Sequence, residues 1–401
     1  EGTLKGVSEE KGKPGVGPFY EVGDLAEVSF EIPETGYYQI QVDYFLPQDA
    51  GHKINTVLLD DTYLAQPKFL PGEGVLTMDL LSVKLTEGEH RLALTKGEND
   101  WGSMRLVAFT LEKTEKEERS YEVVEDLIDP EATPEAQRLY DYLRSIYGKK
   151  VLSGQQMYVT EEPEIDKIKE HTGELPAVKG YDFMNQMPDG YIDDEIERAL
   201  DWVEQGGIVT LCWHWWAPMG GRAFYTNDTT FDIREAVKEG TPEHELILRD
   251  IEIVAKQLLE FQAAKKPVIF RPLHEASGGW FWWGAHGPEP YKALWALLYD
   301  QIVNVHGVHN LIWVANAQDP EWFVGNDKCD IIGEDIYPGK HVEASHVMRF
   351  NEAYDTVDGQ KIVALTENGA LPDIDKMKEE DAMWAWFMQW YGEFTTTDEH
   401  T

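Results

Sequence analysis

The sequence predicts an α/β protein: a (β/α)8 TIM barrel preceded by a smaller all-β sandwich of jelly-roll type. Three observations carry this. The apolar pattern has period two up to about residue 112, then changes to short apolar runs alternating with helical stretches. Eight such runs succeed one another in the later part of the 401 residues, the number a closed parallel barrel needs. The rival, an open doubly wound sheet, requires a Gly-rich phosphate loop, and neither G-x-G-x-x-G nor a Walker sequence occurs.

The first region alternates polar and apolar residues at 26–32, 38–44, 55–59, 76–80, 89–94 and 104–109. Turn signals such as Pro33-Glu34-Thr35-Gly36 and Glu87-Gly88 separate the runs, and no long helical pattern intervenes. Many short strands so spaced predict an antiparallel sandwich. The charged stretch 112–119 breaks the alternation and reads as a linker or solvated helix end. The resulting division is a sandwich at 1–115, a linker at 116–132 and a barrel at 133–401. Barrel strands are expected at 150–156, 175–182, 207–215, 267–275, 311–317, 330–337, 361–367 and 384–390. Helices are expected at 135–147, 192–205, 244–265 and 288–305.

Charge limits the partners. Lys and Arg number 35 against 74 Asp and Glu, a formal net charge of −39. That excludes non-specific nucleic-acid binding, which depends on cations neutralising phosphates, and anionic membrane surfaces. The lack of an 18-residue apolar stretch argues against membrane insertion. The two cysteines, Cys212 and Cys329, lie in apolar strand-like runs and read as free buried thiols. The chain starts at Glu1 without Met, which reads as a mature or trimmed form. Fourteen Trp and 18 Tyr exceed ordinary core needs and point to flat apolar surfaces for a flat ligand.

Active groups of this fold gather at the C-terminal ends of the strands. The fourth run ends Arg271-Pro272-Leu273-His274-Glu275 and the seventh Thr366-Glu367-Asn368-Gly369. A carboxylate ending a buried strand is costly unless solvated, paired or used. Two of them facing a common gap, flanked by Trp and His, are the equipment of a glycosidase. One must stay protonated as acid while the other is ionised. His214 and His274 lack the H-E-x-x-H or H-x-H spacing of zinc sites, so they read as hydrogen-bond partners of sugar or carboxylate. Asp335 reads as a cap of the loop after the sixth strand, and a metal is left open. In Gly279-Trp280-Phe281-Trp282-Trp283-Gly284, four aromatics on one loop cannot all be buried economically, so a sugar-stacking surface is expected there. Trp215, Trp216 and Trp390 would extend it, with about two of these seven aromatics in a local hydrophobic cluster.

From about 130 to 395 these motifs resemble glycoside hydrolase family 26, mostly endo-β-1,4-mannanases. The resemblance rests on Arg271-Pro272-Leu273-His274-Glu275 with Trp280 beyond, on Thr366-Glu367-Asn368-Gly369, on Asp335-Ile336-Tyr337, and on His214-Trp215-Trp216. It implies retaining double displacement with Glu275 as acid/base and Glu367 as nucleophile. Tyr337 and Arg271 would hold Glu367. His214, His274, Trp215, Trp216, Trp280 and Trp390 would bind substrate. No cofactor serves catalysis. The substrates implied are mannan, glucomannan or galactomannan; β-1,3-1,4-glucanase and β-1,3-xylanase activities of the same family are alternatives, and a non-catalytic polysaccharide-binding protein is a remote one. The resemblance also implies a secreted or extracellular enzyme, and a monomer is the default. The first region resembles carbohydrate-binding module family 35 in Glu1-Gly2-Thr3-Leu4-Lys5-Gly6-Val7, the strand 28–32 with Pro33, and Trp101-Gly102. That makes Trp101 a ligand-contact candidate and a structural Ca2+ possible, although the acidic residues that help hold it would precede Glu1.

Overall fold

The computed structural model describes residues 2–158, 160–187 and 194–397. The chain divides into two compact units. The first comprises Glu1–Arg119 with the segments Tyr337–Arg349 and Pro372–Ala382; the second comprises Ser120–Ile336, Phe350–Leu371 and Met383–Thr401.

The first unit carries twelve strands: β1 (Gly2–Lys5), β2 (Ser8–Glu9), β3 (Val16–Gly17), β4 (Leu25–Ile32), β5 (Gly36–Phe45), β6 (Lys53–Ile54), β7 (Thr56–Leu59), β8 (Thr62–Ala65), β9 (Lys68–Phe69), β10 (Val75–Leu85), β11 (Gly88–Thr95) and β12 (Arg105–Thr114). They form two five-stranded sheets, ordered β1-β4-β11-β7-β8 and β10-β5-β12-β3-β2, plus the pair β6-β9. Pairing is antiparallel. Alternation drives it: along β5, Tyr38, Ile40, Val42 and Tyr44 are buried while their neighbours are half exposed. The expected break at residue 112 is not where the strand ends. β12 runs on through Glu112 and Lys113, paired with Gln39 and Tyr38. Both side chains are exposed, Lys113 pairs with Glu34 at 2.6 Å, and the backbone ladder to β5 continues the strand.

In the second unit eight parallel strands close a barrel: β13 (Leu152–Gln156), β14 (Val178–Asp182), β15 (Ile208–Cys212), β16 (Val268–Arg271), β17 (Leu311–Ala315), β18 (Ile331–Ile336), β19 (Ile362–Asn368) and β20 (Trp386–Gln389). All but β19, which runs one residue past its expected end at 367, lie within the predicted runs. Their helices are α1 (Pro134–Ile146), α2 (Pro163–Thr172), α3 (Glu195–Glu204), the short α4 (Ile233–Ala236), α5 (Pro242–Ala263), α6 (Pro288–Tyr299) and α7 (Val347–Thr356). Residues 192 and 193, expected to open α3, lie outside the described residues. Thr133-Pro134 and Thr241-Pro242 start α1 and α5 by one device: the Thr hydroxyl accepts from an amide of the first turn, and Pro takes a position that needs no N–H. Cys212 and Cys329 are free and buried. No described helix is long and apolar enough to cross a membrane.

One irregularity shapes the barrel mouth. Between β18 and β19 the register runs Glu334↔Leu365 and then Asp335↔Glu367, skipping Thr366. This bulge sets the two carboxylates side by side.

Candidate active site

Consecutive barrel strands each deliver a polar group. Arg271, the last residue of β16, is buried. Its Nη1 donates to Asp335 Oδ2 at 2.8 Å and its Nη2 donates to Glu367 Oε1. Both carboxyl groups are buried, and each receives a charge-assisted hydrogen bond from the guanidinium. Asn316, just past β17, donates to Asp335 Oδ1 at 2.9 Å and to Thr366 Oγ1 at 2.6 Å. Thr366 donates its own proton to Asp335 Oδ1 at 2.6 Å. Asp335 is therefore an internal anchor that shares Arg271 with Glu367, and its expected role as a loop cap is replaced.

Glu275 sits in a strained left-handed conformation, φ 54°, and so does Leu273, φ 53°. The turn is held by Asn316: the Glu275 amide donates to its backbone oxygen at 2.7 Å and its Oδ1 at 3.1 Å. Burial pushes the Glu275 carboxyl well above the usual carboxylate range, and the charges of Asp335 and Glu367 push it the same way; Arg271 and the Trp280 hydrogen bond oppose them. One oxygen from each of Glu275, Asp335 and Glu367 lies within 4.8 Å of the others.

His214 stands beyond β15. Asp182, ending β14, accepts both its backbone amide at 2.9 Å and its Nδ1 at 2.5 Å. Its Nε2 faces His274 Nε2 at 3.2 Å, so a single proton is shared between the two rings. Burial disfavours the charged His214 ring, but the Asp182 charge and hydrogen bond outweigh it and hold its pKa above the ordinary value. Burial and the charges of His214 and Arg271 keep His274 well below that value. Both ring nitrogens of His214 are engaged inside the protein, and His274 is buried. His274 Nδ1 is buried without a hydrogen-bond partner among the described residues.

The aromatic loop also departs from expectation. Phe281, Trp282 and Trp283 are all buried, and only Trp280 is exposed. Burial is economical because each indole N–H finds a partner: Trp282 donates to Trp215 O at 2.7 Å and Trp283 to His274 O at 2.8 Å. Trp215, expected against substrate, is fully buried, stacked on Trp213 at 3.8 Å, with Nε1 donating to Asp250 at 2.9 Å. It supports the wall and is not part of its surface. Trp280 donates to Glu275 Oε2 at 3.0 Å. Its ring lies so close over Gly278 that a Cβ there would meet ring carbons at 2.1 Å. Trp216 packs on Phe224 at 4.7 Å, and Trp390 lies 6.1 Å from the His214 ring. Tyr337 directly follows β18 in the chain. In the sandwich, Trp101 is exposed, with His52 edge-on at 4.7 Å and the Lys53 ammonium 5.2 Å from its ring centre.

Sequence reasoning missed Asp182, Asn316 and Tyr391. Asp182 and Asn316 stand at the ends of buried strands, the signal that singled out Glu275 and Glu367, and the same test applied to every strand finds them. Tyr391 follows Trp390 and stacks on exposed Tyr158 at 4.7 Å. Its phenol is pushed up to about 12 by burial, then by Tyr158 and Asp182.

Among the described residues two clusters bring metal-type ligands together, Asp182/Cys212/His214 and Glu275/Asp335/Glu367. In the first, both Asp182 oxygens accept from His214; in the second, Arg271 already provides the cation.

A barrel whose mouth carries two close carboxyls, one bonded to a buried arginine and one pushed above the usual carboxylate range by burial, beside an exposed indole, is a glycoside hydrolase. The chain belongs to glycosyl hydrolase family 26, whose profile it matches over residues 128–400. It is 35% identical over 395 residues to a mannan endo-1,4-beta-mannosidase of Thermothelomyces thermophilus, covering 95% of this chain and 80% of that one. It is also 35% identical over 421 residues to mannan endo-1,4-beta-mannosidase A of Piromyces sp, covering 100% of this chain and 68% of the relative. Among solved structures it is similar to a Podospora anserina GH26-CBM35 beta-(1,4)-mannanase, with TM-score 0.70, 32% identity and coverage of 100% and 90% of the two chains. A ruminal GH26 endo-beta-1,4-mannanase gives TM-score 0.73 at 30% identity, covering 98% and 89%.

Proposed function

We propose that this protein is a retaining endo-β-1,4-mannanase acting on mannan, glucomannan or galactomannan, with residues 1–115 as an appended carbohydrate-binding module and 133–401 as the catalytic barrel. The observation that carries the mechanism is the close set of Glu275 and Glu367 oxygens, within 4.8 Å. Retaining enzymes hold their carboxyls about 5–5.5 Å apart and inverting ones about 6.5–9.5 Å, to admit a water.

Glu367 attacks the anomeric carbon while Glu275 gives its proton to the departing glycosidic oxygen. The old C–O bond breaks and a glycosyl ester on Glu367 forms. Glu275, now ionised, takes a proton from water as the water oxygen attacks the same carbon, and Glu367 leaves as carboxylate. Arg271 bonds Glu367 and aims it; an orienting role for Tyr337 is what the family resemblance implies. Trp280 offers a sugar face on the leaving-group side and steadies Glu275. Trp390 and Trp216 line the sugar path. The Asp182–His214–His274 chain is a hydrogen-bonded brace of the glycone side. Polymeric mannan does not cross a membrane, so the enzyme works outside the cell.

Reducing-sugar release from mannan, lichenan and xylan tests the substrate: mannan is expected to be cleaved fastest, and faster turnover of lichenan or xylan overturns the reading. Glu367→Ala is expected to lose turnover, with azide restoring cleavage of an activated β-mannoside and giving the inverted α-mannosyl azide. Full activity of Glu367→Ala removes it as nucleophile.

A further inference from the structure

The sandwich contains one cluster that neither catalysis nor sugar binding uses. Arg105 opens β12 and is buried beneath the hairpin β2–β3. A guanidinium has five N–H groups, and here five oxygens receive them. Nε donates to Pro14 O at 3.0 Å. Nη1 donates to Gly17 O at 2.9 Å and to Glu10 Oε1 at 3.0 Å. Nη2 donates to Gly15 O at 2.9 Å and to Ser8 O at 3.4 Å.

Four backbone carbonyls and a carboxylate converging on one point are the kind of ligands Ca2+ takes, six to eight oxygens at a time. In this loop the point of convergence is already occupied by a covalently attached cation. The hairpin depends on it. β2 and β3 are two residues each, and β3 meets β12 only at Val16↔Leu106. Strands that short have little pairing of their own to hold them. The chain is drawn tightly inward: Gly15 has φ +65°, and a Cβ there would fall 2.0 Å from Leu106 O. The buried acids of the sandwich are committed elsewhere. Asp24 accepts the amides of Tyr20 and Glu21 at 2.8 and 2.9 Å. Asp100 accepts those of Thr56 and Gly97 at 2.7 and 2.6 Å and the Gln66 side-chain amide at 2.7 Å. Among the described residues, no three His, Cys, Asp or Glu side chains of this unit bring their ligand atoms together. At this hairpin the carbonyls are already taken by Arg105, so its donor chemistry does not fit a Ca2+ there.

We propose that Arg105 is a built-in replacement for a structural cation: its guanidinium organises the carbonyls of the β2–β3 hairpin, which is held without Ca2+. The full chain, stripped with EGTA, is expected to unfold at the same temperature as in millimolar Ca2+ and to retain no stoichiometric calcium after dialysis. In Arg105→Gln, which removes the charge and most donors, amides of residues 8–17 are expected to exchange about tenfold faster or more. The sandwich transition should drop by about 5 °C or more. Arg105→Lys, with a charge but no planar fork, should fall between them. A rise in the wild-type melting temperature on adding Ca2+, one calcium per chain after dialysis, or unchanged exchange at 8–17 in Arg105→Gln overturns the proposal. If Arg105→Gln does not fold, the wild-type chelation and metal-content measurements decide alone.

Discussion

Glu275 and Glu367 carry one functional group, and their surroundings set them different tasks. Glu367 shares the Arg271 guanidinium with Asp335, while Glu275 faces the charges of both acids from a buried, strained turn. The sign is testable. Asp335 raises the Glu275 pKa, so Asp335→Asn lowers it, and Arg271, freed of one partner, lowers it further. Glu275 then loses its proton at lower pH. The alkaline limb of kcat/KM in Asp335→Asn is expected to move to more acidic pH, as a full pH–rate profile will show; an unmoved or more alkaline limb removes Asp335 from this role. At this scale the sequence was legible where a costly group ended an apolar run, as at Glu275 and Glu367. It misled at Trp215 and in the number of buried aromatics, four of the seven where about two were expected, because apolar count does not reveal whether an indole N–H will meet a carbonyl in the folded chain. That depends on contacts such as Trp282 to Trp215, which are distant in sequence.

Among elements, the barrel strands were legible because a strand buried on both faces must be continuously apolar. The end of β12 was not, since Glu112 and Lys113 keep strand geometry through backbone bonds to β5 while their side chains stay exposed. The bulge between β18 and β19 leaves no trace in hydropathy either, yet it places Asp335 beside Glu367. Helix starts were more readable. Thr241 Oγ1 accepts the His244 amide at 3.1 Å and donates to Glu235 O at 2.7 Å. Thr241→Ala forfeits both and is expected to cost about 1 kcal/mol, seen by calorimetry as a lower barrel transition with kcat unchanged. An unshifted transition means that the cap contributes nothing to the 22 residues of α5.

On the scale of the whole molecule, the net charge of −39 works against compactness, since like charges gathered on one surface repel. Moderate NaCl screens that repulsion. The melting temperature is expected to rise between low salt and about 0.15 M NaCl, where the screening length is about 8 Å; a fall shows that attractive ion pairs dominate instead. The surplus also suits an uncharged polysaccharide, which it does not repel. Fold and family were legible at this scale because each motif sat at the end of a predicted strand. The division of loop segments between the two units was not, because it is set by tertiary packing. The groups of the proposed active site come from seven consecutive strands, β14 to β20, in the order Asp182, His214, Arg271 with Glu275, Asn316, Asp335, Glu367 and Trp390. No half of the barrel owns a working subset, and the Arg271–Asp335–Asn316–Thr366 bonds tie β16, β17, β18 and β19 together only once the ring has closed. Hydrolysis therefore doubles as a gauge of completed folding: a nascent or clipped barrel is silent toward polysaccharide, and recovered activity during refolding times the closure of the ring itself.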